Sequence, residues 1–415
     1  MTSSTLERRL GLPDAVTIGV GSMVGAGVFA VFAPAAHAAG TGLLLGLVLA
    51  AIVAFCNATS SAQLAAVYPK AGGTYVYGRE ELGPWWGFAA GWCFVIGKTA
   101  SCAAMALTFA AYVSPHGWVQ RLIAVAAVLA LASINYRGVT RTALATRIIV
   151  AIVLTVLAVF AITNLARGGA HQLPDLHLTG DTSALGVLQA AGLLFFAFAG
   201  YARIATMGEE VRDPERTIPS AIIIALGIAL TTFVIVGLTL LDRLGPDALA
   251  GSARPVFDAA SRLDPSGILP WVVTAAAALA CLGALLNLMT GIGRTSLAMA
   301  RERDLPTWLA ATHPKFKVPH RAEVVLAAIV CVLVLAGSLR EVISFSSFGV
   351  LLYYTVANIS ALHQRENRRY PKFLQVLGVI LCLALVATLT WRVLVTGVVV
   401  LAVGLAGRAM LRTSK

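Results

Sequence analysis

"VTIGVGSMVGAGVFAVFAP", residues 16–34, is the stretch on which the reading of this chain turns. It has the hydrophobicity of a membrane span, yet Gly19, Gly21, Gly25 and Gly27 crowd its first half and Pro34 closes it. A glycine inside a helix costs roughly 0.5–1 kcal/mol relative to alanine, so four of them need a purpose. One purpose is to let the backbone leave the helix, so that its N–H and C=O groups line a cavity instead of facing lipid. The other is close helix packing, for which Gly21-x-x-x-Gly25 fits the small-residue template.

The rest of the chain identifies the bilayer as its solvent. Of 415 residues, 58% are hydrophobic and 12% charged, with a mean hydropathy of +0.84. A soluble domain carries about 25% charged residues. Twelve apolar segments lie near 13–38, 42–67, 84–113, 119–136, 144–166, 184–207, 217–241, 267–299, 321–339, 342–363, 371–389 and 391–411. Each approaches the roughly 20 residues that cross a hydrocarbon core. The runs are continuous, without the alternation of barrel strands, and predict an all-α membrane protein. No soluble domain interrupts them, and the first run is too long for the apolar part of a signal peptide. Cys56, Cys93, Cys102, Cys281, Cys331 and Cys382 all fall in apolar stretches and read as small buried hydrophobes. Asn57-Ala58-Thr59 matches a glycosylation sequon but lies inside a span, and reads as chance.

The basic residues predict the topology. With the N-terminus inside, cytoplasmic segments hold 21 of the 31 Lys and Arg residues, outer segments hold 7, and Lys98, Arg203 and Arg294 fall within spans. That asymmetry over short loops places both termini in the cytoplasm of a multi-pass protein of the cell (plasma) membrane. It also directs the net charge of +12 toward anionic membrane lipid and away from nucleic acid.

A second irregular span lies at 192–202, "GLLFFAFAGYA", where Gly200 sits among aromatics and Arg203 follows. The first and sixth spans are therefore the interrupted ones, at corresponding places in two halves. That pattern points to a transporter binding site. Half-helix N-termini suit a carboxylate, and freed carbonyls suit an ammonium, so one broken pair can hold both ends of an amino acid.

Five stretches in order carry a resemblance: "GVGSMVGAGVF" (19–29), "YPKAGGTYVYGREELGPWWGFAAGW" (68–92), "NYRGV" (135–139), "FFAFAGYARIATMGEEVRDPERTIPSAI" (195–222) and "GRTSLAMARERDLPTWLAATHPKFKVPHRA" (293–322). Together they resemble the permeases of the amino acid–polyamine–organocation (APC) superfamily over nearly the whole chain. The resemblance implies a LeuT-type fold. After a tail at 1–12, spans 1–5 (13–166) and 6–10 (184–363) would form a 5+5 inverted repeat, with two peripheral helices at 371–411. It further implies that backbone at Gly25, Ala26 and Gly27 receives the substrate carboxylate. Carbonyls near Met23, and those of Ala197 and Ala199, would receive the amine. Phe196 would lid the site, and Ser22 stands where relatives place a small polar residue. The residues themselves agree, since Phe196, Phe198 and Tyr201 offer an apolar wall beside the bare backbone of Gly200; Phe195 reads as ordinary packing.

Three departures shape the functional reading. Ala202 stands where many relatives have an acidic residue, so a dicationic substrate would lack a counter-charge. The fifth span at 148–160 has no ionisable residue where proton-coupled relatives often have lysine. Lys98 instead lies within the third span, where a charge costs about 2.5–3.5 kcal/mol on insertion scales and therefore faces the protein interior. Burial disfavours the charged form of an amine, which makes Lys98 the coupling candidate; a structural pairing or snorkelling is the plainer alternative. Arg203 is expected to pair with Glu209 or Glu210, and Arg294 to be structural. Enzyme readings have no support: H-E-x-x-H, G-x-S-x-G and Walker A patterns are absent, and the seven histidines are scattered. No filter-like repeat suggests a channel. The expectation is a secondary permease for a small, neutral amino acid, needing no cofactor and no metal and taking a proton as its second partner. Exchange or facilitated transport of another amine remains the alternative.

Overall fold

The computed structural model describes residues 10–413, apart from 70–71, 115–116, 139–142, 168–182, 209, 266, 317 and 366–367. Arg8, Arg9, Lys70, His116, Arg141, His171, His177, Glu209, Lys317 and Lys415 lie outside the described residues.

All twelve apolar segments are helical. The first is split into α1 (Leu12–Ala30) and α2 (Phe32–Ala39), followed by α3 (Leu43–Val67). After α4 (Thr74–Glu81) come α5 (Pro84–Val113), α6 (Gly117–Tyr136) and α7 (Ala143–Ala166). The sixth segment comprises α8 (Ala184–Phe198), a 3-10 turn (Ala199–Tyr201) and α9 (Ala202–Ala205). Then come α10 (Pro214–Gly251), α11 (Pro255–Leu263), α12 (Leu269–Arg301), α13 (His320–Ala336), α14 (Leu339–His363), α15 (Lys372–Ala387) and α16 (Trp391–Thr413). Among the described residues, ten helical stretches are long and apolar enough to cross a membrane. The helices α13 and α15 have 17 and 16 residues and are shorter. Among the described residues the only strand-like pairing is a single bridge between Leu10 and Val211. The protein is thus an all-helical, multi-pass integral membrane protein.

Local chemistry sets the ends of these helices. Gly83, at φ 107°, turns the chain and Pro84 starts α5, a position where its missing N–H is no loss. Ser338 caps α14 in a reciprocal box with Glu341, whose Oε2 accepts from the Ser338 N–H at 3.0 Å. Gly245, at φ 71° and followed by Pro246, breaks α10 beyond the expected end of the seventh span. The short helices α4 and α11 occupy segments that the sequence presents only as connections.

Contacts between the described connections fall on two faces of the bundle. On one, Arg147 pairs with Asp14 at 2.7 Å and Leu10 meets Val211. On the other, Arg340 Nη1 meets His37 Nδ1 at 2.9 Å, Arg121 donates to the Val334 carbonyl at 3.1 Å, and Arg167 donates to the Leu263 carbonyl. Inside the bundle a polar seam joins α3, α14 and α15. Asn358 bonds Ser60 and Asn57, each at 2.6 Å, and Gln63 bonds Gln364 at 2.7 Å. Asn57 is completely buried. Such contacts contribute about 0.6–1.7 kcal/mol each between membrane helices.

The first face is organised by Asp304, whose side chain is fully buried. Its Oδ2 accepts from the Tyr75 hydroxyl at 2.9 Å and Arg79 Nη1 at 3.5 Å; its Oδ1 accepts from Arg408 Nε at 2.8 Å and Arg412 Nη2 at 3.2 Å. The Arg408 guanidinium also lies 4.4 Å from the Trp85 ring centre and 5.0 Å from that of Phe88. Asp304→Ala would leave a buried arginine uncompensated, a loss of about 3–5 kcal/mol. Arg412, 40% exposed, should contribute no more than about 1 kcal/mol. Thermal unfolding in detergent checks the contrast: Asp304→Ala should melt well below Arg412→Ala.

Candidate functional site

The opening stretch is helical and closely packed. The helix α1 is continuous from Leu12 to Ala30, and even at the bend the Val31 N–H reaches the Gly27 carbonyl at 3.1 Å. The expected release of backbone around Met23, Ala26 and Gly27 is therefore corrected: the helical ladder persists there. The glycines give up side chains because four neighbours occupy that space. A Cβ on Gly27 would lie 2.7 Å from Ala197 Cβ, on Gly25 2.9 Å from Ala284 Cβ, and on Gly21 2.9 Å from Val150 Cγ2, while one on Gly19 would overlap Ile204. Real Cβ atoms do not approach so closely.

The sixth segment does break. Ser183 caps α8, accepting from the Gly186 N–H at 3.0 Å, and the helix ends at Phe198 in the 3-10 turn. Gly200 is required by proximity: a Cβ there would overlap the Ser22 carbonyl and lie 2.6 Å from the Met23 nitrogen. Backbone is thus laid directly on backbone, seating the turn against α1.

Beside this turn lies a cavity of about 410 Å³ walled by α5, α9, α12 and the start of α13. Of the sequence-derived site residues, Lys98 and Gly200 line it. Lys98 is 5% exposed, and its Nζ donates to the Ala199 carbonyl at 3.0 Å. Ser22 instead bonds back to the Ile18 carbonyl at 2.8 Å. Phe198 packs on Phe233 with ring centres 4.9 Å apart, Tyr201 lies 5.1 Å from Tyr354, and Phe195 is 5.9 Å from Tyr354. Phe196, Ala197, Met23 and Ala26 are buried and do not line the cavity. Gly25 borders a separate void of about 20 Å³ with Thr146 and Asn287.

Arg203 lines the wall and donates to Thr206 Oγ1 at 3.1 Å. Of the two partners expected for Arg203, Glu209 lies outside the described residues and Glu210 pairs instead with Arg294 at 3.0 Å, at the half-exposed mouth of the cavity. Glu323, buried to 3% exposure, also lines the wall. The sequence reading overlooked it, since a glutamate in a helix's first turn ordinarily serves the helix dipole. Tyr75 lines the cavity while donating to Asp304. Burial, reinforced by the Asp304 charge, raises its phenol above the ordinary range, so it remains a neutral donor. On the opposite face Tyr112 accepts from the Val256 N–H at 3.3 Å, and Val28, Phe29 and Ala30 are buried. A larger groove of about 610 Å³ is bordered by Trp92, Ile329 and Val400, but its walls are almost wholly apolar and offer little to orient a zwitterion.

A helical membrane bundle whose cavity carries charged side chains beside a broken helix has the architecture expected of a transporter. The amino acid permease profile matches residues 10–410, and the chain belongs to that family, within the APC superfamily. An uncharacterized transporter of Mycobacterium tuberculosis is 53% identical over 408 residues, spanning 98% of this chain and 92% of its own. The branched-chain amino acid permease BcaP of Bacillus subtilis is 25% identical, spanning 97% and 92%. The chloroplastic cationic amino acid transporter 7 of Arabidopsis thaliana is 25% identical, spanning 96% and 73%.

The seating of the turn is testable. Gly200→Ala should abolish transport while the protein still reaches the membrane, because the methyl forces α1 away from the turn. Gly227→Ala, where a Cβ meets nothing within 4 Å, should be neutral or stabilising by about 0.5–1 kcal/mol. Uptake and surface expression, measured side by side, compare the two.

Proposed function

We propose that this chain carries a small neutral amino acid across the plasma membrane by alternating access, coupled to protons. The observation that supports this most directly is the cavity whose lining includes Lys98, Gly200 and Arg203 together with the half-exposed Arg294. Its volume falls within the usual range for small-molecule sites. Substrate would bind where Lys98, Gly200 and Arg203 meet. The stretch from Ser22 through Met23, Gly25 and Ala26 to Gly27, and the segment Phe196–Tyr201, would close around it in another stage of the cycle. The proposed frame is twelve spans with a 5+5 inverted repeat, 13–166 and 184–363, two peripheral helices and both termini cytoplasmic.

Relatives with branched-chain and with cationic substrates in their names are equally distant, so kinship does not choose the substrate. Charge does. Among the described residues Arg294 and Glu210 pair with each other, and the other charged groups on the wall are Lys98, Arg203 and Glu323. A substrate carboxylate is favoured there, and a second positive charge is repelled in low dielectric. Thermal-shift screening should show neutral amino acids stabilising the protein by mass action more than arginine, lysine or putrescine at equal concentration. A larger shift with arginine would reverse the assignment.

Lys98 is the proposed coupling residue, because its ammonium ties α5 to the broken turn through Ala199. Lys98→Met keeps most of the side-chain volume and removes that tie. In proteoliposomes this variant should retain counterflow exchange and lose uptake driven by an imposed pH gradient. Gradient-independent wild-type uptake would favour an exchanger or a facilitated carrier.

A further inference from the structure

Glu323 is, among the described residues, a buried carboxylate without an ion pair, and Arg294 is the positive charge that acts on it. It sits in the first turn of α13 with its Oε2 buried and without a hydrogen-bond partner. Its side chain packs on Gly293, where a Cβ would come within 3.3 Å of Glu323 Cγ. The charged and titratable groups around the same cavity are committed elsewhere. Arg294 from α12 is held by Glu210, which follows α9. Lys98 from α5 is on the Ala199 carbonyl, Arg203 from α9 is on Thr206, and Tyr75 from α4 is on Asp304. The helix α6 presents Asn135, whose amide meets the Leu286 carbonyl at 3.4 Å. On its own helix the neighbour is His320, whose Nδ1 is likewise buried without a partner. A carboxylate withdrawn from water must be compensated by a proton or a cation; the helix dipole offsets only part of the cost.

We propose that Glu323 is a proton-binding site of the transport cycle, loaded from the same solution as the substrate and emptied with it on the other side. The inference rests on the amino acid transporter reading above. A substrate carboxylate entering the cavity adds a second negative charge in low dielectric, which makes a proton on Glu323 more favourable. Reciprocity then requires that the protonated protein bind substrate more tightly. The step is balanced: one carboxylate and one proton give one carboxylic acid on loading, the reverse occurs on release, and no other bond changes. Lys98, on the Ala199 carbonyl, ties that loading to the broken turn, so the two residues divide the work.

The test uses the purified full chain with L-alanine, L-serine and L-leucine as probes, at pH 5.5 and 7.5. In the wild type, apparent affinity from thermal-shift titration should be tighter at the lower pH by at least about fivefold, the lower end of usual coupling. Glu323→Gln should bind with no pH dependence, and Glu323→Asp should restore part of it. Lys98→Met should shift affinity at both pH values and keep their ratio. In proteoliposomes Glu323→Gln should retain counterflow while an inward proton gradient no longer accelerates uptake. A Glu323→Gln protein with the wild-type pH ratio and a lower melting temperature would show a helix-dipole role only and overturn the proposal. Loss of the ratio in Lys98→Met would move the proton to Lys98, and affinity that tightens as pH rises would reverse the coupling; either result overturns it. Absence of wild-type counterflow with all three amino acids would overturn the transporter reading itself, an outcome distinguishable from the others.

Discussion

Inside a bilayer, backbone that leaves a helix must be enclosed by protein and supplied with partners. That constraint governs the turn at Ala199–Tyr201. Its Ala199 carbonyl takes the Lys98 ammonium at 3.0 Å, and its Gly200 lies against the backbone of Ser22 and Met23. The rest of the core follows from holding this turn in place. The helix α1 must be bare on several sides to reach α7, α8, α9 and α12 at once, which accounts for its glycines. The helix α5 must bring a cation to the bundle centre, and its lysine is buried in doing so.

The arrangement of charge follows from depth. At the mouth, where water screens, opposite charges of Arg294 and Glu210 meet directly. Deeper in, Lys98 and Arg203 are satisfied by neutral oxygen atoms of Ala199 and Thr206. Among the described residues neither cation forms an ion pair there. A buried ion pair in the same place would have exhausted its attraction internally.

Much of this was legible in the residues. Twelve apolar runs become helical segments, and the break at "AFAGYA" appears where Gly200 interrupts them. The opening glycines were harder, because glycine declares what a backbone is able to do and not who its neighbours are. The same four residues suit an unwound segment or a crowded one, and only Ala197, Ala284, Val150 and Ile204 decide between them. Glu323 and Asp304 were illegible for another reason. Each lies in a polar stretch at the end of an apolar run, where charged residues normally face water. Burial there depends on α4, α6 and α16 folding over them, which no local pattern encodes. The exchange of Arg203 for Arg294 as the partner of Glu210 is likewise a matter of three-dimensional reach.

The four donors on Asp304 have an evolutionary consequence. A carboxylate has about four acceptor positions, and here Tyr75, Arg79, Arg408 and Arg412 occupy four. The acceptor is saturated, and its members are unequal: Arg408 is buried with the carboxylate, whereas Arg412 is 40% exposed. Descendants of this chain are therefore constrained to change α4, the segment after α12 and α16 together. A lineage that discarded its final helix would have to neutralise Asp304 first. The last helix, outwardly an appendage on the lipid-facing side, is in this sense inherited jointly with the cavity wall.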